Sequence, residues 1–344
     1  MSSQSGTGSA DRGRWLNAPG AGRIVTMACY ASVALLFTAL HFRLSAPWSA
    51  ADYARFAGPP SQWPVEETTF KLRLLTPLLA RALTVAFGAN AEWVFKSLAW
   101  ASVLLLLAFY RRYLSNFLAP KFSNLFALAL VYPLVWNFCL LNSLYFPFDI
   151  PSILFFVMGL HFIYRRNWFA YYPTLVLAAL NRETSVFLIF VFGVTLYDSM
   201  THRSLVWHLV AQAAIWAGLK AMIFLTVSGN SAVLTKSHLG TNLRVLGDMV
   251  ALRGNFIRDW GKLVLAFGGT WLVLPWLGRR QPAYLRRCLL VIIPFIVLAL
   301  FKGVIDEVRL YGELVPVVFT PIVYSIAQGL GGARLQDDAA GSGG

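Results

Sequence analysis

Apolar positions in this chain come in long continuous runs, separated by short polar or basic stretches. The runs cover residues 24–42, 93–110, 124–141, 150–164, 169–180, 184–197, 205–227, 263–277, 288–305 and 314–330. A helix needs about 20 apolar residues to cross a bilayer, and continuous runs argue against the alternating pattern of a transmembrane barrel. The pattern predicts an all-α, polytopic transmembrane protein of about ten spans, with one membrane domain over residues 24–330. Residues 1–23 read as a polar, disordered cytoplasmic tail and 331–344 as a short flexible cytoplasmic tail. The first run is longer than the ~7–15 apolar residues of a secretory signal, so it reads as an uncleaved anchor.

Two intervals interrupt the runs. Residues 43–92 form the first exterior loop. Its first part is broken by Pro47, Pro59, Pro60 and Pro64. Its second part, 72–87, is apolar but carries Arg73 and Arg81 and reads as an amphipathic helix lying at the interface. The alternative is a span with buried arginines, whose insertion cost is about 2.5–3.5 kcal/mol each. Residues 228–262 form a second exterior segment.

Charge decides between the two readings of 72–87. Basic residues sit at run ends: Arg111-Arg112, Arg165-Arg166, His202-Arg203, and Arg279, Arg280, Arg286 and Arg287. With an interfacial 72–87, all of them fall on the side of the N-terminal tail, as the positive-inside rule requires. A spanning 72–87 would put most of them outside. The same clustering accounts for the net charge of +14, so no nucleic-acid partner is expected. Only 13% of residues are charged, against about 25% in soluble domains. Cys29, Cys139 and Cys288 lie inside apolar runs without ligand spacing, and the five histidines form no metal motif.

The remaining polar residues gather on the predicted outer side. Asn181-Arg182-Glu183-Thr184 splits two short apolar runs and reads as the tip of a helical hairpin. Asp52, Glu66, Glu67 and Arg73 lie in the first loop. Asp149 follows Tyr145-Phe146-Pro147-Phe148, and Asp306, Glu307, Arg309, Tyr311 and Glu313 precede the last run. Each has a structural alternative. Asp149 before Ile150-Pro151 suits a helix N-cap. Arg182 and Glu183 suit a bracing ion pair. Asp306, Glu307 and Arg309 suit a solvated helix cap. Together they offer a chemical inventory. Arginines grip phosphate bidentately, a carboxylate can take a proton from a hydroxyl, and a leaving phosphate needs positive charge.

Four stretches resemble the GT-C superfamily of integral membrane glycosyltransferases, in its small bacterial form. They are Asp52-Tyr53-Ala54-Arg55-Phe56, Lys71-Leu72-Arg73-Leu74-Leu75-Thr76-Pro77-Leu78, Asn181-Arg182-Glu183-Thr184 and Glu307-Val308-Arg309-Leu310-Tyr311. The resemblance implies a GT-C-like helical fold with interfacial helices in the first exterior loop. It implies a polyprenyl-phosphate-linked sugar donor, a glycan or lipid acceptor, membrane lipids as partners, and a place in a bacterial inner membrane with both termini cytoplasmic. By position Asp52 maps to the catalytic base, with Asp149 and Glu183 as further catalytic candidates. Arg73, Arg182, Glu307, Arg309 and Tyr311 become substrate-binding candidates. Some members use a divalent cation, Mg or Mn. Here the first loop lacks a paired Asp-Asp or Asp-x-Asp, so no metal ligand is assigned. The alternatives are a transporter or flippase for a lipid-linked or anionic solute, since intramembrane charges also mark transport pathways, and a non-catalytic scaffold.

Overall fold

The computed structural model describes residues 21–45, 49–59, 72–141, 145–227, 237–252, 256–277 and 281–333. Most of both tails, together with Trp48, Trp63, Glu66, Glu67, Arg279 and Arg280, lies outside them. The described chain is helical, without strands; an isolated β-bridge joins Leu118 to Ala333. In order come α1 (Ala21–Leu44), a short α2 (Ala50–Phe56), α3 (Leu75–Phe87) and α4 (Ala91–Leu114). Next, α5 (Pro120–Ala129) and α6 (Val131–Val135) run into a π-helical turn, Trp136–Leu140. Then follow α7 (Asp149–Tyr164), α8 (Trp168–Asn181), a 3-10 turn Glu183–Ser185, α9 (Val186–Leu196) and α10 (His202–Val227). The last part holds α11 (Leu239–Val250), α12 (Phe256–Val264), a 3-10 stretch Ala266–Trp276, α13 (Ala283–Cys288), α14 (Ile292–Lys302) and α15 (Leu314–Gly329).

Among the described residues, five stretches are helices long and apolar enough to cross a membrane: Gly22–Leu44, Ala91–Leu114, Pro120–Leu140, His202–Thr226 and Ala283–Lys302. Leu75–Phe87, Asp149–Tyr164, Glu183–Leu196 and Leu314–Gly329 are shorter apolar helices. The run 263–277 departs from expectation. It is not one helix: α12 stops at Val264, the chain turns through Phe267, Gly268 and Gly269 at positive φ, and it continues as 3-10 coil. At 13 residues, or about 20 Å, α3 is too short to cross the ~30 Å hydrocarbon core alone. Arg73 lies in the irregular stretch before α3 instead of opening the helix.

Local chemistry sets the boundaries. Asn90 caps α4 by accepting from the Glu92 amide at 2.8 Å, and Gly88 supplies the left-handed residue, φ 59°, that turns α3 back along α4. Pro120 starts α5, where its missing N–H costs nothing. The helix at the centre is α7, apolar all round and buried on nearly every face against α4, α8, α9 and α15. Its contact with α9 is close, since a Cβ on Gly159 would lie 2.6 Å from Leu188. By contrast α10 lies at the periphery, with little of its apolar length covered.

α7 runs between two chemically different ends. At one end Phe117 packs on Tyr164 at 4.8 Å, Tyr164 on Tyr284 at 4.9 Å, and Arg166 donates to the Ser199 carbonyl at 3.2 Å. Arg111, Arg112, Arg165, Arg166, Arg286 and Arg287 share this rim; among the described residues its acid is Asp198, paired with Arg287. The other end of α7 carries Asp149.

Candidate functional site

Asp149 is the first residue of α7 and is not the helix N-cap. That position belongs to Phe148, which makes no capping bond through its side chain. The Asp149 carboxylate, 3% exposed, instead faces two guanidinium groups. Oδ1 lies 3.3 Å from Arg182 Nη1 and Oδ2 lies 3.5 Å from Arg309 Nη1. Arg182 also reaches Glu313 Oε1 at 3.4 Å, and the Thr184 hydroxyl donates to the same carboxylate. Arg309 donates to Glu307 Oε1 at 3.0 Å. Charges at this depth persist only when paired, and these are paired across three separate chain segments.

The tetrapeptide at the hairpin tip is held by its own polar groups. α8 ends because Arg182 adopts extended backbone, φ −156°, which turns the chain into the 3-10 turn. Asn181 donates to the Phe148 carbonyl and to Ser152 Oγ, both at 2.9 Å, and accepts from the Thr76 hydroxyl at 2.8 Å. Ser185 donates to the Arg182 carbonyl at 2.8 Å and accepts from Trp216 Nε1 at 3.1 Å. The tip is therefore fixed to α3, α7 and α10, which points Arg182 into the bundle.

A second ion pair borders the first group. Arg73 donates to both oxygens of Glu183, and its guanidinium lies 4.5 Å over the Phe148 ring. Lys220 donates to the Leu72 carbonyl at 3.3 Å, beside Arg73. Arg309 lies 3.9 Å over the Phe146 ring. Cation–π contact of this kind holds a guanidinium flat while leaving its N–H edge for an anion.

The arrangement keeps donor capacity in reserve. Arg182 Nε and Arg309 Nε are buried and have no hydrogen-bond partner among the described residues. Their contacts with Asp149, at 3.3–3.5 Å, are longer than the ~2.7–2.9 Å of a tight charge-assisted bond. A void about the size of one water molecule lies beside Arg182, Ser185 and Glu313. Three arginines and Lys220 face Asp149, Glu183, Glu307 and Glu313, so the group is formally balanced. Among the described residues, no group of three or more His, Cys, Asp or Glu is placed to hold a metal ion.

Six of the eight residues singled out by sequence thus come together: Arg73, Asp149, Arg182, Glu183, Glu307 and Arg309. Tyr311 does not join them; its hydroxyl donates to the Ile305 carbonyl at 2.8 Å and its ring packs on Phe295 at 6.3 Å, which braces the 305–311 turn. Asp52 sits on α2 in a capping box, accepting from the Ser49 amide at 2.9 Å and the Ser49 hydroxyl at 2.7 Å. These bonds hold its carboxyl below the usual aspartate range. The neighbouring Tyr53 packs 6.3 Å from Tyr145, in the segment whose Phe146 carries Arg309. α2 therefore borders the charged group. Glu313, Thr184, Asn181 and Lys220 were not singled out as site residues. Glu313 stands four positions after Arg309, the helical spacing that shares a face, and that spacing could have flagged it. No protein-family model, curated protein or solved structure matches the chain.

Proposed function

We propose that the chain is a membrane glycosyltransferase of the GT-C kind. It moves a sugar from a polyprenyl-phosphate-linked donor to a glycan or lipid acceptor at the outer face of a bacterial inner membrane. In this reading the chain crosses the membrane ten times, with the broken stretch 263–277 as one of the crossings, and the basic rim faces the cytoplasm. The observation that carries the reading is the convergence of Arg73, Arg182 and Arg309 with four carboxylates at one end of α7, with directly paired members as far as 160 positions apart. Buried arginines with spare N–H groups are what a lipid-borne phosphate needs at membrane depth.

The reaction follows from that placement. The acceptor hydroxyl attacks the anomeric carbon of the donor sugar. A new C–O bond forms, the sugar–phosphate C–O bond breaks, and the polyprenyl phosphate leaves with the electron pair. Arg182 and Arg309 stabilise that leaving charge by exchanging part of their hold on Asp149 for phosphate oxygens. Asp52 takes the hydroxyl proton.

The test is a transfer assay with purified protein and a radiolabelled polyprenyl-phosphate sugar. Asp52→Asn keeps an acceptor for the α2 cap but removes the base, so transfer should fall by at least about 100-fold with donor binding retained. Arg309→Ala should weaken donor binding instead. Wild-type transfer by Asp52→Asn would remove Asp52 as the base.

One observation favours a second reading, a transporter or flippase for the same kind of lipid-linked solute. The break at 267–269 packs against the π-helical turn, with the Phe267 amide donating to Asn137 Oδ1 at 2.7 Å. Broken helices at membrane depth often line transport sites. Proteoliposomes that move labelled donor across the bilayer without transferring its sugar would select this reading.

A further inference from the structure

The basic rim, opposite the charged group, carries an open groove of about 570 Å³ where the first turns of α10 meet α8. Its walls are Tyr172, Thr201, Arg203, Ser204, Trp207 and His208. The back wall is fixed: the Tyr172 hydroxyl and His208 Nδ1 are hydrogen-bonded at 2.8 Å, and Trp168 packs on the His208 ring at 5.3 Å. Arg203 is exposed, and the acid of this rim, Asp198, is already taken by Arg287. Among the described residues no carboxylate pairs with Arg203. The groove therefore has a cation, two hydroxyls and two aromatic walls, and no carboxylate among its lining residues.

The surface beside the groove is apolar. Val206 and Val210, one helical turn apart, are exposed on α10 together with Trp207, and Phe169 is 93% exposed nearby. α10 is long and apolar enough to span, with little of it covered by protein. A phosphate alone would use only Arg203 and the hydroxyls. A molecule with an anionic head and an apolar tail would use both surfaces, and Tyr and Trp at such a junction suit the headgroup level of a bilayer.

We propose that this groove binds the headgroup of one anionic phospholipid from the adjoining leaflet. Its phosphate sits against Arg203, Thr201 and Ser204, and an acyl chain lies along Val206 and Val210. The site is separate from the charged group and does not depend on the glycosyltransferase reading.

Native mass spectrometry of the full chain in detergent tests it with three probes: phosphatidylglycerol, phosphatidylcholine of the same chains, and glycerol 3-phosphate. The wild type should retain phosphatidylglycerol in preference to phosphatidylcholine. Arg203→Gln should lower that retention about fivefold, the contribution of one basic residue at an anionic surface, and Arg203→Lys should keep most of it. Thermal unfolding of Arg203→Gln checks that the fold is intact; Trp207→Ala, which leaves the charge in place, should also weaken retention. Equal retention of both lipids, or of phosphatidylglycerol by wild type and Arg203→Gln, overturns the proposal. Glycerol 3-phosphate binding as well as phosphatidylglycerol makes this a soluble-phosphate site and also overturns it.

Discussion

Asp149 is the residue on which the charged group turns, because among the described residues it alone pairs with both Arg182 and Arg309. Removing one member of a buried ion group leaves an uncompensated charge, at a cost of about 3–5 kcal/mol. Arg182→Ala should therefore lower the unfolding free energy by about that amount, because it strands Glu313 and leaves Asp149 with Arg309 alone. An unfolding midpoint equal to wild type would mean that these contacts carry no stability. Asp52 makes a different prediction. Its carboxyl is held low by the Ser49 bonds, so the capping contribution is complete above the ordinary aspartate range and is lost only as pH falls through the depressed value. If Asp52 is also the base, Ser49→Ala, which removes the hydroxyl bond, should move the acid limb of kcat/KM upward toward the ordinary aspartate range. Superimposable pH profiles would separate the carboxylate from the chemistry. Much of this group was legible, because Asp149, Arg182 and Arg309 stand out against apolar neighbours. The pairing was not, since Asp149 before Ile150-Pro151 carries the same local pattern as an ordinary helix cap.

At the scale of elements, the long helices were legible from run length, and one run was misleading. Residues 263–277 are apolar enough for a span, but Phe267-Gly268-Gly269 breaks the helix there. The Gly268-Gly269 pair is a local breaker signal that run length hides, and packing fixes the break. Tyr132 donates to the Gly268 carbonyl at 2.9 Å, and a Cβ on Gly268 would lie 2.3 Å from Tyr132 Cε1. Gly268→Ala should destabilise the protein, from its φ of 68° and the clash together, by at least about 1–3 kcal/mol. Gly218→Ala, in mid-α10 with nothing within 4 Å, is the control and should be neutral or slightly stabilising. Equal unfolding midpoints for the two variants would show that the break tolerates a side chain and is not held by Tyr132 and Trp136.

At the scale of the whole molecule, the two ends of α7 differ in kind. One rim holds arginines with Asp198 among them; the other holds Arg73, Arg182 and Arg309 interleaved with carboxylates. That segregation was legible because basic pairs mark run ends. The depth of the second group was not, because it depends on how α2, α3 and the hairpin tip close over α7. The functional reading requires the mixed rim to face outward, where a lipid-linked sugar meets its acceptor. The measurement that tests this most directly is labelling of single cysteines in intact cells with a membrane-impermeant maleimide. It uses a Cys29→Ser background, since Cys139 and Cys288 are buried. Ala51→Cys, next to Asp52, should label in intact cells, and Thr201→Cys, in the basic rim, only after permeabilisation. Labelling of both from the same side, or the reverse order, would contradict the account.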